Sequence, residues 1–176
     1  QLMVVGDARL LIGDGVNITT LTRIVTSNNA KAIGLQDGAS SATWSGQLDL
    51  EIDAVATTGT FELFAGQGGT LFLDGRIRDD NGTATIADVV KTGAGTVVLS
   101  HTSNDGLASV IVSEGTLRVT DGSSNLAAGG VVTVNAGANF GGSGDIASLV
   151  TAGAFQAGSG ILVDVDGTAG TPQLTI

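Results

Sequence analysis

Lys91-Thr92-Gly93-Ala94-Gly95-Thr96-Val97-Val98-Leu99-Ser100 is answered by Val112-Ser113-Glu114-Gly115-Thr116-Leu117-Arg118-Val119, and this pair decides the fold. In each half a glycine and a threonine open an alternating apolar run, and a polar loop separates the halves. Alternation at period two marks a strand with one buried face. The spacing from Gly95 to Gly115 is too long for a simple hairpin and fits one circuit of a coil built from two or three short strands.

The same unit recurs along the chain. Glycine-led strands begin at Gly69-Thr70-Leu71, Gly95-Thr96-Val97, Gly115-Thr116-Leu117, Gly137-Ala138-Asn139-Phe140 and Gly153-Ala154-Phe155, at intervals of 26, 20, 22 and 16 residues. A second echo pairs Trp44-Ser45-Gly46-Gln47-Leu48 with Leu73-Asp74-Gly75-Arg76-Ile77. Alternating bursts also occur at Leu48, Leu50 and Ile52, at Phe61 and Leu63, at Val110 and Val112, and at Val132 and Val134, nearly all bounded by Gly, Asn, Asp or Ser. Helical periodicity is almost absent. The β-branched residues Thr85, Ile86, Val89 and Val90 favour a strand over a helical turn near 84–90.

These patterns predict an all-β, single-stranded, right-handed parallel β-solenoid, or β-helix, forming one domain over residues 1–176. Residues 1–68 read as less regular rungs, 69–160 as the clearest repeats, and 161–176 as terminal strands. At roughly 20 residues per circuit the chain makes about nine short rungs and a rod on the order of 40 Å long. Val97, Leu99, Val112, Leu117 and Phe155 are expected in the core.

Composition agrees and excludes several classes. The 176 residues include 28 glycines, one proline and no cysteine, and only 3% are aromatic. The proline content is too low for collagen, and the apolar fraction of 42% is too high for disorder. Acidic residues are mostly Asp, which favours turns over helices. A net charge of −10 with seven scattered cations argues against nucleic acid and against an anionic membrane surface. The lack of cysteine removes disulfides and thiolate metal sites. No apolar run is long enough to span a membrane. No basic start followed by an apolar run reads as a signal peptide, so the expectation is a processed mature form or an excised fragment.

On these residues the chain resembles the autotransporter passenger-associated β-strand repeat of bacterial surface and secreted proteins. That pattern reads approximately K-x-G-x-G-T-L-x-L-S, then a polar loop rich in Asn, Thr and Gly, then V-x-x-G-T-L-x-V. Lys91, Gly93, Gly95, Thr96, Leu99 and Ser100 match the first half, with Val97 at the usual leucine. Val112, Gly115, Thr116, Leu117 and Val119 match the second. The loop His101-Thr102-Ser103-Asn104-Asp105-Gly106 keeps only the Asn and Gly flavour. The clear match covers residues 91–119 and a looser one roughly 69–160. The resemblance implies export, an extracellular or bacterial cell-surface location, and roles in adhesion or stalk building. A full autotransporter also carries a C-terminal membrane barrel, which these residues do not contain, so a passenger piece or a self-contained surface subunit is expected.

Three groups of residues were weighed as sites. His101, the one histidine, lies near Ser100, Ser103 and Asp105, as a nucleophilic triad would require, yet loops of this kind are simply polar. Asp49, Glu51 and Asp53 fall on one strand face, an arrangement that polysaccharide-cleaving solenoids use for metal binding or acid–base chemistry. It is also what a solvated face looks like, and no basic residue stands nearby in sequence to abstract a proton. Calcium is the most plausible ion, with Asp164, Asp166, Asp79 and Asp80 in carboxylate turns as weak candidates, although ordinary Asp-Gly turns explain them. Threonine-rich faces suggest an ice-binding array only if the threonines align, and their unequal intervals speak against it.

The expectation is therefore a protein without catalytic or cofactor-binding residues: an extracellular structural fibre or stalk. It would assemble head to tail with itself through exposed solenoid ends and the strand-like termini Leu2-Met3-Val4-Val5 and Gln173-Leu174-Thr175-Ile176. The alternatives are a passenger-type adhesin binding glycan or host protein and, less favoured, a polysaccharide-active enzyme. Direct insertion into a membrane is not expected.

Overall fold

Three parallel ladders carry the chain. The computed structural model describes residues 2–4, 9–26, 31–52, 60–79, 88–104, 109–120, 131–142 and 160–163. Sheet A stacks β1 (Leu2–Val4), β4 (Thr22–Thr26), β7 (Leu48–Ile52) and β10 (Ile77–Asp79). Sheet B stacks β2 (Arg9–Ile12), β5 (Lys31–Leu35), β8 (Thr60–Ala65), β11 (Asp88–Thr92), β13 (Ser109–Val112) and β15 (Val131–Val134). Sheet C stacks β3 (Asn17–Ile18), β6 (Ser41–Trp44), β9 (Thr70–Leu73), β12 (Thr96–Leu99), β14 (Thr116–Val119), β16 (Asn139–Gly142) and β17 (Gly160–Val163). Chain order cycles A, B, C, so the chain is a β-solenoid, all-β throughout the described residues.

Four circuits carry all three sheets, and the next two carry strands of B and C alone. The spacing records the change: 30 residues separate the paired Ala32 and Glu62, but 21 separate Val89 and Val110. The tallest sheet holds seven strands among the described residues, on the order of 30 Å at one strand spacing per step. About nine rungs were expected because every circuit was taken to be as short as the one from Gly95 to Gly115. The three-sided circuits are longer.

Parallel in-register stacking turns the alternation of each strand into vertical columns. On sheet C one inner column runs Ala42, Leu71, Val97, Leu117, Phe140, and the next runs Trp44, Leu73, Leu99, Val119. On sheet B, Phe61, Val89, Val110 and Val132 stack likewise. All of these are buried, as the sequence pattern predicts for Val97, Leu99, Val112 and Leu117. Phe155 lies outside the described residues.

The corner from sheet B to sheet C sets the geometry. In six successive circuits it holds one glycine at positive φ: Gly15, Gly38, Gly68, Gly93, Gly115 and Gly137. An L-residue there is strained by about 1–2 kcal/mol, because Cβ crowds the following carbonyl. The corner from C to A is tight for another reason. A Cβ on Gly75 would fall inside van der Waals contact of the Gly46 carbonyl beneath it.

Register bears out most of the repeat reading. Thr70, Thr96 and Thr116 are stacked partners, and Trp44 with Leu73 and Leu48 with Ile77 confirm the second echo. Thr116 pairs with Asn139, so Ala138 rather than Gly137 stands where Gly115 does, because corner 135–138 is one residue longer than 113–115. The strand after β16 in sheet C begins at Gly160, and the unit read at Gly153 lies outside the described residues. The strand assignment near 84–90 holds for residues 88–90, in β11, and residues 84–87 are likewise outside.

Two substitutions separate the two corner effects. Gly75→Ala is expected to destabilise by about 1–3 kcal/mol through backbone overpacking. Gly38→Ala, where a Cβ meets open space, should cost only the strain of positive φ, about 1 kcal/mol. Urea unfolding followed by fluorescence of Trp44, the one tryptophan and fully buried, measures both. Equal losses would contradict the stacking account.

Candidate functional site

The acidic row is the first candidate. Asp49 and Glu51 leave β7 on the face opposite the buried Leu48 and Leu50, as alternation requires. Asp49 is nevertheless 3% exposed. Its Oδ1 accepts the Gln47 Nε2 donor at 2.5 Å and Arg78 Nε at 3.2 Å, and Oδ2 accepts Arg78 Nη2 at 3.4 Å. Glu51 is ion-paired with Arg23. Asp53 lies outside the described residues.

These arginines correct the expectation that no basic group stands near the row. Sequence distance hid them: Arg23 and Arg78 are the register partners of Asp49 on the strands below and above. Each acid is thus engaged by a cation from an adjacent circuit. The arrangement ties circuits together and leaves little of Asp49 for solvent.

A parallel clasp crosses sheet B. Arg9 reaches over β5, where the outward positions are Ala32 and Gly34, to pair with Glu62 at 2.6 Å and to lie 4.8 Å from the centre of the Phe64 ring. Glu62 also accepts the Thr92 hydroxyl from β11. Asp49, Glu51 and Glu62 all belong to the third circuit, and their cations come from the first, second and fourth.

The histidine loop does not assemble a triad. Ser100 donates its hydroxyl to Asp74 at 2.5 Å, and His101 Nδ1 accepts the Ser103 backbone N–H at 3.1 Å. Asp105 lies outside the described residues. Of the calcium candidates, Asp79 sits in strand β10, paired with Leu50, rather than in a turn. Asp80, Asp164 and Asp166 lie outside the described residues, among which no group of three or more His, Asp or Glu side chains is placed to hold a metal ion.

Two buried polar residues escaped the sequence reading. Lys91 occupies an inner column, stacked between Leu63 and Val112, and is fully buried. Its Nζ donates to the carbonyls of Thr92 (2.8 Å), Gly93 (2.6 Å) and Glu114 (2.9 Å). All three ammonium protons are used, and the ammonium links the corner of one circuit to the corner of the next. Burial lowers its pKa to about 8, and the Glu114 charge opposes that shift. The signal was available: Lys91 falls in phase with Val89, on the inward face of a strand. Asn104, 2% exposed, accepts the Ile77 N–H on Oδ1 at 2.9 Å.

No family model matches this sequence, and no curated protein or solved structure compared with it is significantly similar.

Lys91 supplies a stability test with a defined sign. Lys91→Ala should cost about 2–4 kcal/mol, from a cavity and three stripped carbonyls. Lys91→Met, which refills the volume, should cost less. Because the folded pKa of about 8 lies below the ordinary 10.5, the unfolded chain holds more protons between those values. Wild-type stability should then rise with pH from about 8 to 10.5, by on the order of 3 kcal/mol, and Lys91→Met should lack that rise. Parallel stability–pH curves for the two proteins would refute the buried-ammonium account.

Proposed function

We propose that the chain is a non-enzymatic structural element, a rod segment of an extracellular bacterial surface stalk or fibre that stacks end to end with its own kind. The resemblance of residues 91–119 to the autotransporter passenger repeat supports the location and the role. The right-handed winding taken with it follows the general preference of parallel crossovers.

The observation that carries the reading is the character of the first circuit. Its strands β1, β2 and β3 each pair on one side only among the described residues. Their outer edges present backbone donors and acceptors suited to further parallel strands. Three of the four large apolar side chains left exposed among the described residues, Met3, Leu11 and Val16, belong to this same circuit. Open strand edges ringed by apolar groups favour association along the coil axis. The engaged acids support the structural reading too, since Asp49, Glu51 and Glu62 are each held by an arginine from another circuit.

Sedimentation and negative-stain microscopy of the pure chain test this. End-to-end oligomers one solenoid wide, lengthening with concentration, are expected. A variant carrying Met3→Lys, Leu11→Lys and Val16→Lys should associate about tenfold more weakly or worse while keeping its Trp44 unfolding transition. A wild type that stays monomeric at high concentration, or a triple variant that assembles equally well, would overturn the reading.

A further inference from the structure

Sheet A stops four circuits up, while sheets B and C continue. Its last strand, β10, therefore has a free edge. In a parallel ladder a residue directs its N–H and C=O to one neighbouring strand, and the next residue directs its own to the other. Leu48 N–H bonds the Arg76 carbonyl below, so the Ile77 N–H faces upward, where a fifth strand would lie. Asn104 stands there. Its Oδ1 accepts the Ile77 N–H at 2.9 Å, and its Nδ2 donates to the His101 carbonyl of its own loop at 3.4 Å.

We propose that Asn104 is a plug: its side-chain amide takes the place of a strand carbonyl and closes the sheet A edge to strand addition. The amide is suited to this on three counts. It offers the acceptor that an added strand would offer, it is buried against the edge, and its second hydrogen bond fixes its direction. The loop carrying it replaces the sheet A strand of that circuit, so the stop and the plug are one segment. The strand excluded is defined by the sheet itself, an extended segment with the alternation of β7. That strand already matches β10 through Leu48 to Ile77 and Leu50 to Asp79. The inference needs no assembly of the chain and is independent of the stalk reading.

The probe is a fluorescently labelled peptide of residues 47–52, with binding read by anisotropy and the Ile77 amide read by hydrogen exchange. In the wild type the Ile77 N–H should be protected despite its place on an edge strand, and the peptide should not bind. Asn104→Ala should expose that amide, raising its exchange about tenfold or more, and should bind the peptide. A peptide of the same composition with its alternation destroyed should not bind. Asn104→Asp keeps the oxygen and should stay protected and closed. Rapid exchange at Ile77 in the wild type would overturn the proposal, and this reading needs no variant to fold. Peptide binding that is equal in wild type and Asn104→Ala, or absent from both, would overturn it as well. So would binding to Asn104→Asp as strong as to Asn104→Ala.

Discussion

Everything in this molecule depends on stacking at a single strand spacing. Each circuit lies about 4.8 Å above the last, so every residue has a register partner above and below. A residue is then never judged alone. Its side chain must fit a column, and its backbone must leave room for the backbone beneath. This is why the corners matter more than the strands. Strands tolerate Val, Leu, Ile, Phe or Trp in their columns, and all occur here. The corner from sheet B to sheet C repeats one solution, a glycine at positive φ, six times. Changing its length by one residue, as at 135–138, displaces the next strand by one residue relative to the glycine. The alternation still brings Phe140 onto Leu117, so the inner column survives.

The same stacking decides the fate of the polar groups. Residues 26 or 29 apart become neighbours, and a few cations in an acidic chain suffice to bind acids on adjacent circuits. Arg23 and Arg78 meet the acids of β7, and Arg9 crosses a whole strand to reach Glu62. Pairs this exposed contribute perhaps a few tenths to one kcal/mol each, far less than the buried columns. Their effect is on register: a one-residue slip would place Arg78 on the face occupied by Ile77 and send both the charge and the apolar group to the wrong side.

Strand identity and inward faces were legible in the sequence because alternation is a local property. The equivalence of Thr70, Thr96 and Thr116 was legible because the glycine-threonine start is repeated there. The ion pairs were not, since they depend on circuit lengths of 26 to 30 residues that vary from one circuit to the next. The hydroxyls show the same limit. Their unequal intervals argued against alignment, yet Ser41, Thr70, Thr96 and Thr116 form one column. Circuits of different length can share a register because the surplus residues leave through loops. Asn104 was seen only as loop flavour, because nothing local reveals that its loop takes the place of a strand.

Lys91 and Asn104 are also explained by where they sit. Both lie at the junction between the last three-sided circuit and the first two-sided one. A repeating stack satisfies its backbone by translation, each circuit completing the one beneath. Where a sheet ends, translation fails, and polar groups that the next strand would have satisfied must find side chains. Asn104 meets that need at the edge of β10. Lys91 bridges the corner carbonyls of the two circuits that differ in shape, and a cation with three protons suits three acceptors fixed by backbone. An apolar side chain would fill the space equally well and leave those carbonyls bare. Buried polar residues in this coil therefore mark the place where its periodicity breaks, and their chemistry follows from which backbone groups the break leaves unmatched.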